Sequence, residues 1–266
     1  MGRKVKTMIP LSKTIKVVSN KDNKGVFEIE ALYPGYGVTL GNSLRRVLLS
    51  SLEGAAITQV KIKGASHEFT TISGLKEDVL GVLLNLKQVR LQMFDEGPFS
   101  ATLKVKGVKE VTAGDFKTPN QVEIANKNLV IAHLTEKSAD LDLEIQISKG
   151  IGYETAETRR RGKEEIGIIS LDAIYTPIEK VSYRVEQMRV GERTDFDRLI
   201  IQIETDGTLN PEVALKQAST ILVSQLEIIR EGLKEMEVQP AKNEKPKAKK
   251  PTTVKKTATK KAAKKK

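Results

Sequence analysis

The sequence predicts an α+β fold, because strand-like segments outnumber helical ones and the helices do not alternate regularly with the strands. A repeating βα pattern, which would indicate a parallel sheet, is not found in the sequence, and neither is an internal repeat. The chain has 266 residues, which is enough for one large domain or for two ordinary ones, each with its own core.

The first elements are a hairpin and a helix. The segments TIKVVS and GVFEIEAL are strand-like, and the turn signal NKDNKG separates them. Next, YPGYGVTLGNS leads into a helix around residues 40–52 that ends at Glu53. Gly35, Gly37 and Gly41 form GxGxxxG, which differs from the dinucleotide-binding GxGxxG. We expect these glycines to let the chain turn tightly into the helix.

The remaining elements are mostly strands. Strands are predicted at ITQVKIKG, FSATLKVKG, NLVIAHL, LDLEIQI, PIEKVSYRVEQM and RLIIQIET, where apolar and polar residues alternate. The segment LKEDVLGVLLNL predicts a helix over residues 75–86, with Leu75, Val79, Val82, Leu83 and Leu86 at helical spacing. Residues 150–165 have no period and predict an exposed loop. A last helix is predicted over residues 211–233, with Asn210 as its N-cap and Pro211 at its first position.

The helix around residues 40–52 has two faces of different chemistry. One stripe, which we expect to face the sheet, contains Leu40, Leu44, Val47, Leu48 and Ser51. Arg46 and Leu49 lie on the other side of the helix, with Arg45 between the two faces. This second face is either a pair of solvated arginines beside one exposed leucine, which is common on surfaces, or a face that binds a partner.

The last helix is apolar around most of its circumference. One stripe contains Leu215, Ala218, Leu222, Leu226, Ile229 and Leu233, and a second contains Ala214, Ile221 and Ile228. A helix of this kind must be covered on two sides. The cover comes either from the chain's own core, as in a central helix of a monomer, or from a second subunit in a symmetric dimer.

All of the net positive charge lies in the last residues of the sequence. The formal charge is +11, and residues 241–266 carry a net +11 with twelve lysines and one glutamate. The remaining 240 residues are neutral, which argues against a free-standing protein that compacts DNA through a basic body. A segment of this composition cannot bury a core, so residues 237–266 are predicted to be disordered.

Residues that could form a catalytic or metal site are scarce. The chain has no cysteine, which excludes disulfides, Cys-ligated zinc and a thiol nucleophile. His67 and His133 lie far apart, and the segment Asp195-Phe196-Asp197 lacks a third nearby carboxylate. Since no nucleophile–base pair is found either, we expect no active site, metal or cofactor in this chain. No apolar run approaches the ~20 residues of a membrane span, and this, with the lack of cysteine, favours a cytoplasmic protein.

Three segments resemble a known protein family. They are YPGYGVTLGNSLRRVLLSSLEGAAI, GASHEFTTISGLKEDVLGVLLNLK and LDAIYTPIEKVSYRVEQMRVGERTDFDRLIIQIETDGTLNPEVALKQASTIL. In this order they resemble the α subunit of bacterial DNA-directed RNA polymerase, over most of residues 26–230. The resemblance implies a homodimeric scaffold on which the β and β′ subunits assemble for the transcription of DNA into RNA. It implies a non-catalytic subunit of this nucleotidyltransferase, whose active site lies in β′.

The resemblance also implies a domain organisation. Residues 1–54 and 175–236 would form a dimerisation domain, residues 55–174 a mostly β inserted domain, and residues 237–266 a Lys-rich tail. Members of the family usually carry a small C-terminal DNA-binding domain after a flexible linker, and this sequence is expected to lack it. DNA would then be bound through the assembled enzyme and, without sequence preference, through the tail.

Residue roles follow from the same resemblance. Arg46 and Leu49, with Arg45 beside them, match helix positions that hold β. Lys87 and Leu171 match positions on the β′ side. The dimer interface would contain Leu44, Leu48, Leu215, Ala218, Ile221, Leu222, Leu226 and Ile229.

Overall fold

The computed structural model describes residues 15–159 and 167–237, with side chains described as far as Leu233. The chain divides into two compact units at Leu226. The first unit contains the sheets, and the described part of the second is the end of the last helix. The helices and the more numerous strands of the described chain confirm the α+β class predicted from the sequence. The predicted disordered tail falls outside the described residues, apart from Glu237.

The strands are Ile15–Lys21 (β1), Lys24–Leu32 (β2), Glu53–Ile62 (β3), Leu91–Met93 (β4), Phe99–Lys106 (β5), Lys109–Thr112 (β6), Val122–Ile124 (β7), Val130–Leu134 (β8), Asp140–Ile151 (β9), Tyr153–Glu154 (β10), Ile168–Ser170 (β11), Ala173–Ile174 (β12), Ile178–Val190 (β13) and Arg193–Thr205 (β14). The helices are Tyr36–Ser50 (α1), Val79–Leu86 (α2), Ala156–Arg159 (α3) and Pro211–Glu237 (α4), and a 3-10 turn spans Ala113–Asp115.

One antiparallel sheet joins the two ends of the described chain. Its strand order is β1-β2-β14-β13, so that β2 pairs with a strand about 170 residues later, as in the pair Ile29 and Leu199. Helices α1 and the start of α4 bury their apolar residues with this sheet. The shared core contains Phe27, Ile29, Leu32, Leu44, Leu48, Leu52, Ile178, Leu199, Ile201, Ile203, Ala214, Leu215 and Ala218.

The second core uses the residues in between. A sheet with the order β5-β9-β3-β4-β7, with β11 paired to β3, packs with α2 and with the separate two-stranded sheet β6-β8. The alternation in LDLEIQI is confirmed, since Leu141, Leu143, Ile145 and Ile147 are at most 1% exposed. The two cores use different stretches of the chain, but contacts group residues 1–226 as one unit. The predicted boundaries 1–54, 55–174 and 175–236 therefore stay a prediction.

Helices α1 and α2 begin at other residues than the sequence predicted. Helix α1 begins at Tyr36, four residues before the predicted start. Helix α2 begins only at Val79, because Asp78 caps it through a 2.7 Å hydrogen bond from the Gly81 N–H. Leu75 was therefore wrongly placed on the helix. It lies in a β-bridge with Leu134 instead.

Two other predictions can be compared with the structure. The cap of α4 is confirmed, because Asn210 accepts a 2.9 Å hydrogen bond from the Glu212 N–H. The predicted loop over residues 150–165 is wrong in its first part, where β9, β10 and α3 occur. Residues 160–165 of that loop lie outside the described part of the chain.

Candidate protein–protein interaction surfaces

The start of α1 is fixed by a carboxylate from β14. One oxygen of Asp197, Oδ2, accepts hydrogen bonds from the Gly35 N–H at 2.9 Å and from the Gly37 N–H at 3.0 Å. The Asp197 side chain is buried, so these bonds satisfy both the carboxylate and two amides of the first helical turn. A negative charge at a helix N-terminus is also favoured by the helix dipole.

The glycines of this region have two different roles. Gly35 has φ +86°, a left-handed conformation that only glycine adopts without strain, and it provides the expected turn into α1. Gly37 and Gly41 instead allow close packing. A Cβ atom would lie 2.7 Å from a methyl group of Val185 at position 37 and 2.6 Å from the ring of Tyr183 at position 41. The expectation that all three glycines serve the turn was therefore wrong for two of them.

The outer face of α1 carries the arginine pair. Arg46 is exposed, and its guanidinium has no hydrogen-bond or ion-pair partner within residues 15–159 and 167–237. Arg45 is half-buried and donates to the side chain of Asn42 at 3.2 Å. Leu49 is half-buried and packs partly against the subunit's own core, so it is less free than the sequence suggested. Arg46 is thus the predicted β-contact residue that is most available to a partner.

A further residue of this face was missed by the sequence analysis. Val38 is 55% exposed and lies on the same side of α1 as Asn42, Arg45 and Leu49, at intervals of three or four residues. The apolar stripe of this helix begins at Leu40, so its periodicity places Val38 in the preceding loop.

Helix α4 changes from buried to exposed along its length. Leu215 and Ala218 are buried, Ile221 and Leu222 are half-buried, and Leu226 is 63% exposed. Within the first unit, a groove of about 980 Å³ runs beside this helix. Its apolar lining includes Val47, Leu52, Leu209, Val213, Ile221 and Leu222.

The eight residues predicted for a dimer interface therefore fall into two groups. Leu44, Leu48, Leu215 and Ala218 lie in the subunit's own core, where they present almost no surface to a partner. Ile221, Leu222, Leu226 and Ile229 remain accessible, and the last of these belongs to the second unit. Helical periodicity alone does not separate these groups on α4, since the stripe that begins with Leu215 and Ala218 continues through Leu222, Leu226 and Ile229.

The two residues predicted for β′ are both next to Asp172, Lys87 in space and Leu171 in the chain. Lys87 donates from Nζ to Asp172 Oδ2 at 3.1 Å, and Asp172 directly follows Leu171 in the chain. The Ala156 N–H, at 3.0 Å, and Lys87 both hold the pKa of Asp172 below its usual value. Leu171 itself is buried, with 5% of its surface exposed. The accessible residues here are therefore Lys87 and Asp172, and Asp172 was not predicted from the sequence.

Helix α2 presents an apolar edge next to Lys87. Leu80 is 39% exposed and Leu84 is 53% exposed, and with Lys87 they follow one face of the helix. The opposite face, with Val79, Val82, Leu83 and Leu86, is buried. The sequence does not predict which face of this helix is buried, because nearly every position in VLGVLLNL is apolar.

Among the described residues, no group of three or more His, Asp or Glu side chains could hold a metal ion. The two carboxylates of Asp195-Phe196-Asp197 have separate partners, Arg193 for the first and the start of α1 for the second. No helix among the described residues is long and apolar enough to cross a membrane.

Comparison with known proteins identifies the family. The family model described as the RNA polymerase Rpb3/RpoA insert domain matches residues 60–176. The chain is 48% identical to the DNA-directed RNA polymerase subunit alpha of Roseiflexus sp. (strain RS-1) over 215 residues. It is 49% identical over 215 residues to the protein of the same name from Roseiflexus castenholzii (strain DSM 13941 / HLO8). The chain belongs to the RNA polymerase alpha-subunit family.

The extent of the match matters for this alpha-family chain. In both comparisons it covers 81% of this chain and 66% of the relative. The insert-domain match includes Lys87 and Leu171, whereas Arg45, Arg46 and Leu49 lie before it. The similarity identifies the family but assigns no role to single residues.

Proposed function

We propose that this chain acts as the alpha subunit of a DNA-directed RNA polymerase, as a non-catalytic, homodimeric scaffold that nucleates the assembly of β and β′ in the cytoplasm. The observation that carries the proposal is the identity of 48% to an RNA polymerase alpha subunit over 81% of the chain. Two features support a scaffold: apolar surface on α4 that the subunit does not bury, and exposed arginine on α1.

The outer face of α1 is the proposed binding site for β. Arg46 has no partner among the described residues, so its five N–H donors are free to bind a carboxylate of another protein. Arginine is also frequent among interface residues that contribute most to binding. Arg45, Leu49 and the newly found Val38 would complete this face.

The surface around Lys87 is the proposed binding site for β′. The Lys87–Asp172 ion pair is partly solvated, with side chains 30% and 37% exposed. The apolar edge of Leu80 and Leu84 lies beside it, which gives an apolar patch next to a polar contact, as in many protein interfaces. Leu171 would act indirectly, by packing into the core the short segment between β11 and β12 that carries Asp172.

The exposed part of α4 and the groove beside it form the proposed self-interface. Ile221, Leu222 and Leu226 would be covered by the same helix of a second copy around a two-fold axis. Such an arrangement removes exposed apolar surface that a lone subunit leaves in water. Dimerisation thereby explains why the apolar stripe continues beyond the last residue that the core buries.

Co-purification from the source organism tests the proposal. The tagged full-length chain should elute as two copies together with two very large subunits, and the complex should synthesise RNA on a DNA template. The chain alone should form dimers and synthesise none. Recovery of the chain with bulk DNA and without large subunits would contradict the proposal and would favour the DNA-compacting alternative.

A further inference from the structure

The segment Asp195-Phe196-Asp197 lies at the start of α1. Asp197 accepts the Gly35 and Gly37 amides through one oxygen, although it lies 160 residues after Gly37. A side chain of β14 thus holds the backbone of α1 at the start of the helix. The side chain is only 8% exposed, so water does not replace these bonds easily.

The residues next to Asp197 in β14 pack around Tyr33, which lies just before α1. Arg193 binds Asp195 in a forked ion pair, with distances of 3.0 and 2.7 Å. The Arg193 guanidinium lies 5.5 Å from the ring centre of Tyr33 and 5.0 Å from that of Phe196. Tyr33 and Phe196 pack edge to face, with ring centres 6.3 Å apart. Two kinds of contact therefore fix the segment that leads into α1. Its Gly35 and Gly37 amides donate to Asp197, and its Tyr33 ring packs against Phe196 and Arg193.

This contact sets the position of the whole helix. Gly37 and Gly41 let the first half of α1 pack directly against side chains of β13 and β14, which are Val185 and Asp197 at position 37 and Tyr183 and Leu199 at position 41. Arg46 lies nine residues after Gly37, or about 14 Å along the axis of a rigid helix. A slide or tilt at the first turn is therefore transmitted to the outer face. A shift of about 1 Å lengthens an ordinary 2.9 Å hydrogen bond beyond the useful range.

We propose that Asp197 is a positioning residue for the partner-binding face of α1: by fixing the first turn, it sets where Arg46 meets the partner. The inference rests on the proposed binding of β by this face. Asp197 does not touch the partner itself. Its effect is expected in the affinity for β rather than in the fold, because the core of the sheet does not depend on its carboxylate.

Substitutions at position 197 separate these effects. Asp197→Ala leaves two amides of the first turn without an acceptor. Asp197→Asn keeps an oxygen at the same place, and this oxygen has two lone pairs for the two N–H groups. Asp197→Glu keeps the charge but moves the oxygen by one methylene group. Ile203→Val serves as control, because it removes one buried methyl group from the same core, six residues or about 20 Å along β14.

The measurement is the dissociation constant of the purified β subunit for each full-length dimer, with the melting temperature recorded in parallel. We expect binding to weaken about tenfold for Asp197→Ala and Asp197→Glu, and less than about threefold for Asp197→Asn and Ile203→Val. The double variant Arg46→Ala/Asp197→Ala should lose clearly less binding free energy than the sum of the two single losses, because Asp197 acts in part through Arg46. If Asp197→Ala does not fold, the Glu and Asn variants decide.

Each other outcome overturns a specific statement. Unchanged binding by Asp197→Glu and Asp197→Ala, with weak binding by Arg46→Ala, overturns the positioning role but leaves the proposed function intact. Additive losses in the double variant also overturn it, since Asp197 would then act independently of Arg46. Unchanged binding by Arg46→Ala overturns the proposed β site and this inference together.

Discussion

The Glu77 carboxylate accepts two hydrogen bonds from His133, one from the backbone N–H at 2.8 Å and one at the ring Nδ1 at 2.5 Å. The contact joins the loop before α2 to strand β8, and Glu77 directly precedes the residue that caps α2. Partial burial of Glu77 raises its pKa, but the bonds from His133 outweigh this, so the net pKa lies below the usual 4.5.

The first prediction concerns this carboxylate. A folded-state pKa below the unfolded value means that the stabilisation is present above about pH 4.5 and is lost as the pH falls through the folded-state pKa. We expect Glu77→Gln to lower the free energy of unfolding by about 1–2 kcal/mol at pH 7. Urea unfolding from pH 7 to pH 3 should show the difference from wild type shrinking at the acidic end. A difference that stays constant would contradict the pH linkage.

A second prediction concerns Arg46. Its replacement by alanine should weaken capture of β by about 2 kcal/mol or more, because a charged, bidentate donor is lost from the interface. The melting temperature of the free dimer should hardly change, since Arg46 is exposed and has no partner within the described part of the subunit. Lys180→Ala, on the exposed side of β13, is a matched control for loss of one surface cation. A variant that unfolds would show that Arg46 is structural.

The third prediction concerns the proposed self-interface. Ile221→Glu with Leu222→Glu should convert dimers to monomers, at a cost of roughly 3 kcal/mol or more, since an unpaired charge would be buried between copies. Analytical ultracentrifugation measures the change, and circular dichroism checks that the subunit remains folded. Ser224→Glu adds charge to an exposed position of the same helix that does not line the groove, so it should leave the dimer intact. Sedimentation of the unchanged protein as a monomer at micromolar concentration would contradict the dimer.

The fourth prediction compares one substitution in two helices. Gly41→Ala should destabilise the protein by about 1–3 kcal/mol, because the new Cβ would lie 2.6 Å from the Tyr183 ring. Gly232→Ala in α4 meets no atom within 4 Å, and it should stabilise by about 0.5–1 kcal/mol through helix propensity. Thermal unfolding of both variants measures the difference. Equal effects would mean that α1 does not pack as closely as described.

The fifth prediction concerns the lysines of residues 241–266, which lie outside the described residues. Twelve lysines opposed by one glutamate should bind DNA of any sequence, with an affinity that falls steeply with salt. A chain ending at Pro240 should still dimerise and assemble with β and β′. Its polymerase should bind DNA more weakly than the full-length form in band shifts at low salt. Equal binding across a salt series would leave these residues without a DNA role.

The sequence predicted those elements whose pattern is local. The alternation in β9 and the N-cap Asn210 were correctly placed, because each depends on neighbouring residues only. It did not place the start of α1, which depends on Asp197 from a strand far along the chain. It also did not separate buried from exposed positions on α4. That difference depends on where the sheet ends, and helical periodicity contains no such information.

For the candidate sites, too, the sequence predicted features that depend on local pattern and missed contacts between distant segments. Arg46 was selected by helical geometry and by family resemblance, and it is exposed. Asp172 was missed, although it follows Leu171, because a single aspartate after a strand carries no signal until Lys87 is known to lie beside it. Contacts between distant segments are the part of a site that one sequence does not reveal.

The pairing of β2 with β14 also determines the order of events during synthesis. Leu32 is opposite Asp197, so the first sheet cannot close until about 165 further residues have left the ribosome. At 5–20 residues per second this takes roughly 10–30 s. The stretch between the two strands contains the whole of the second core, which can fold while the first waits. Nascent α1 meanwhile lacks the strands that bury Leu44 and Leu48, so its apolar side chains stay open to chaperones and to aggregation during translation.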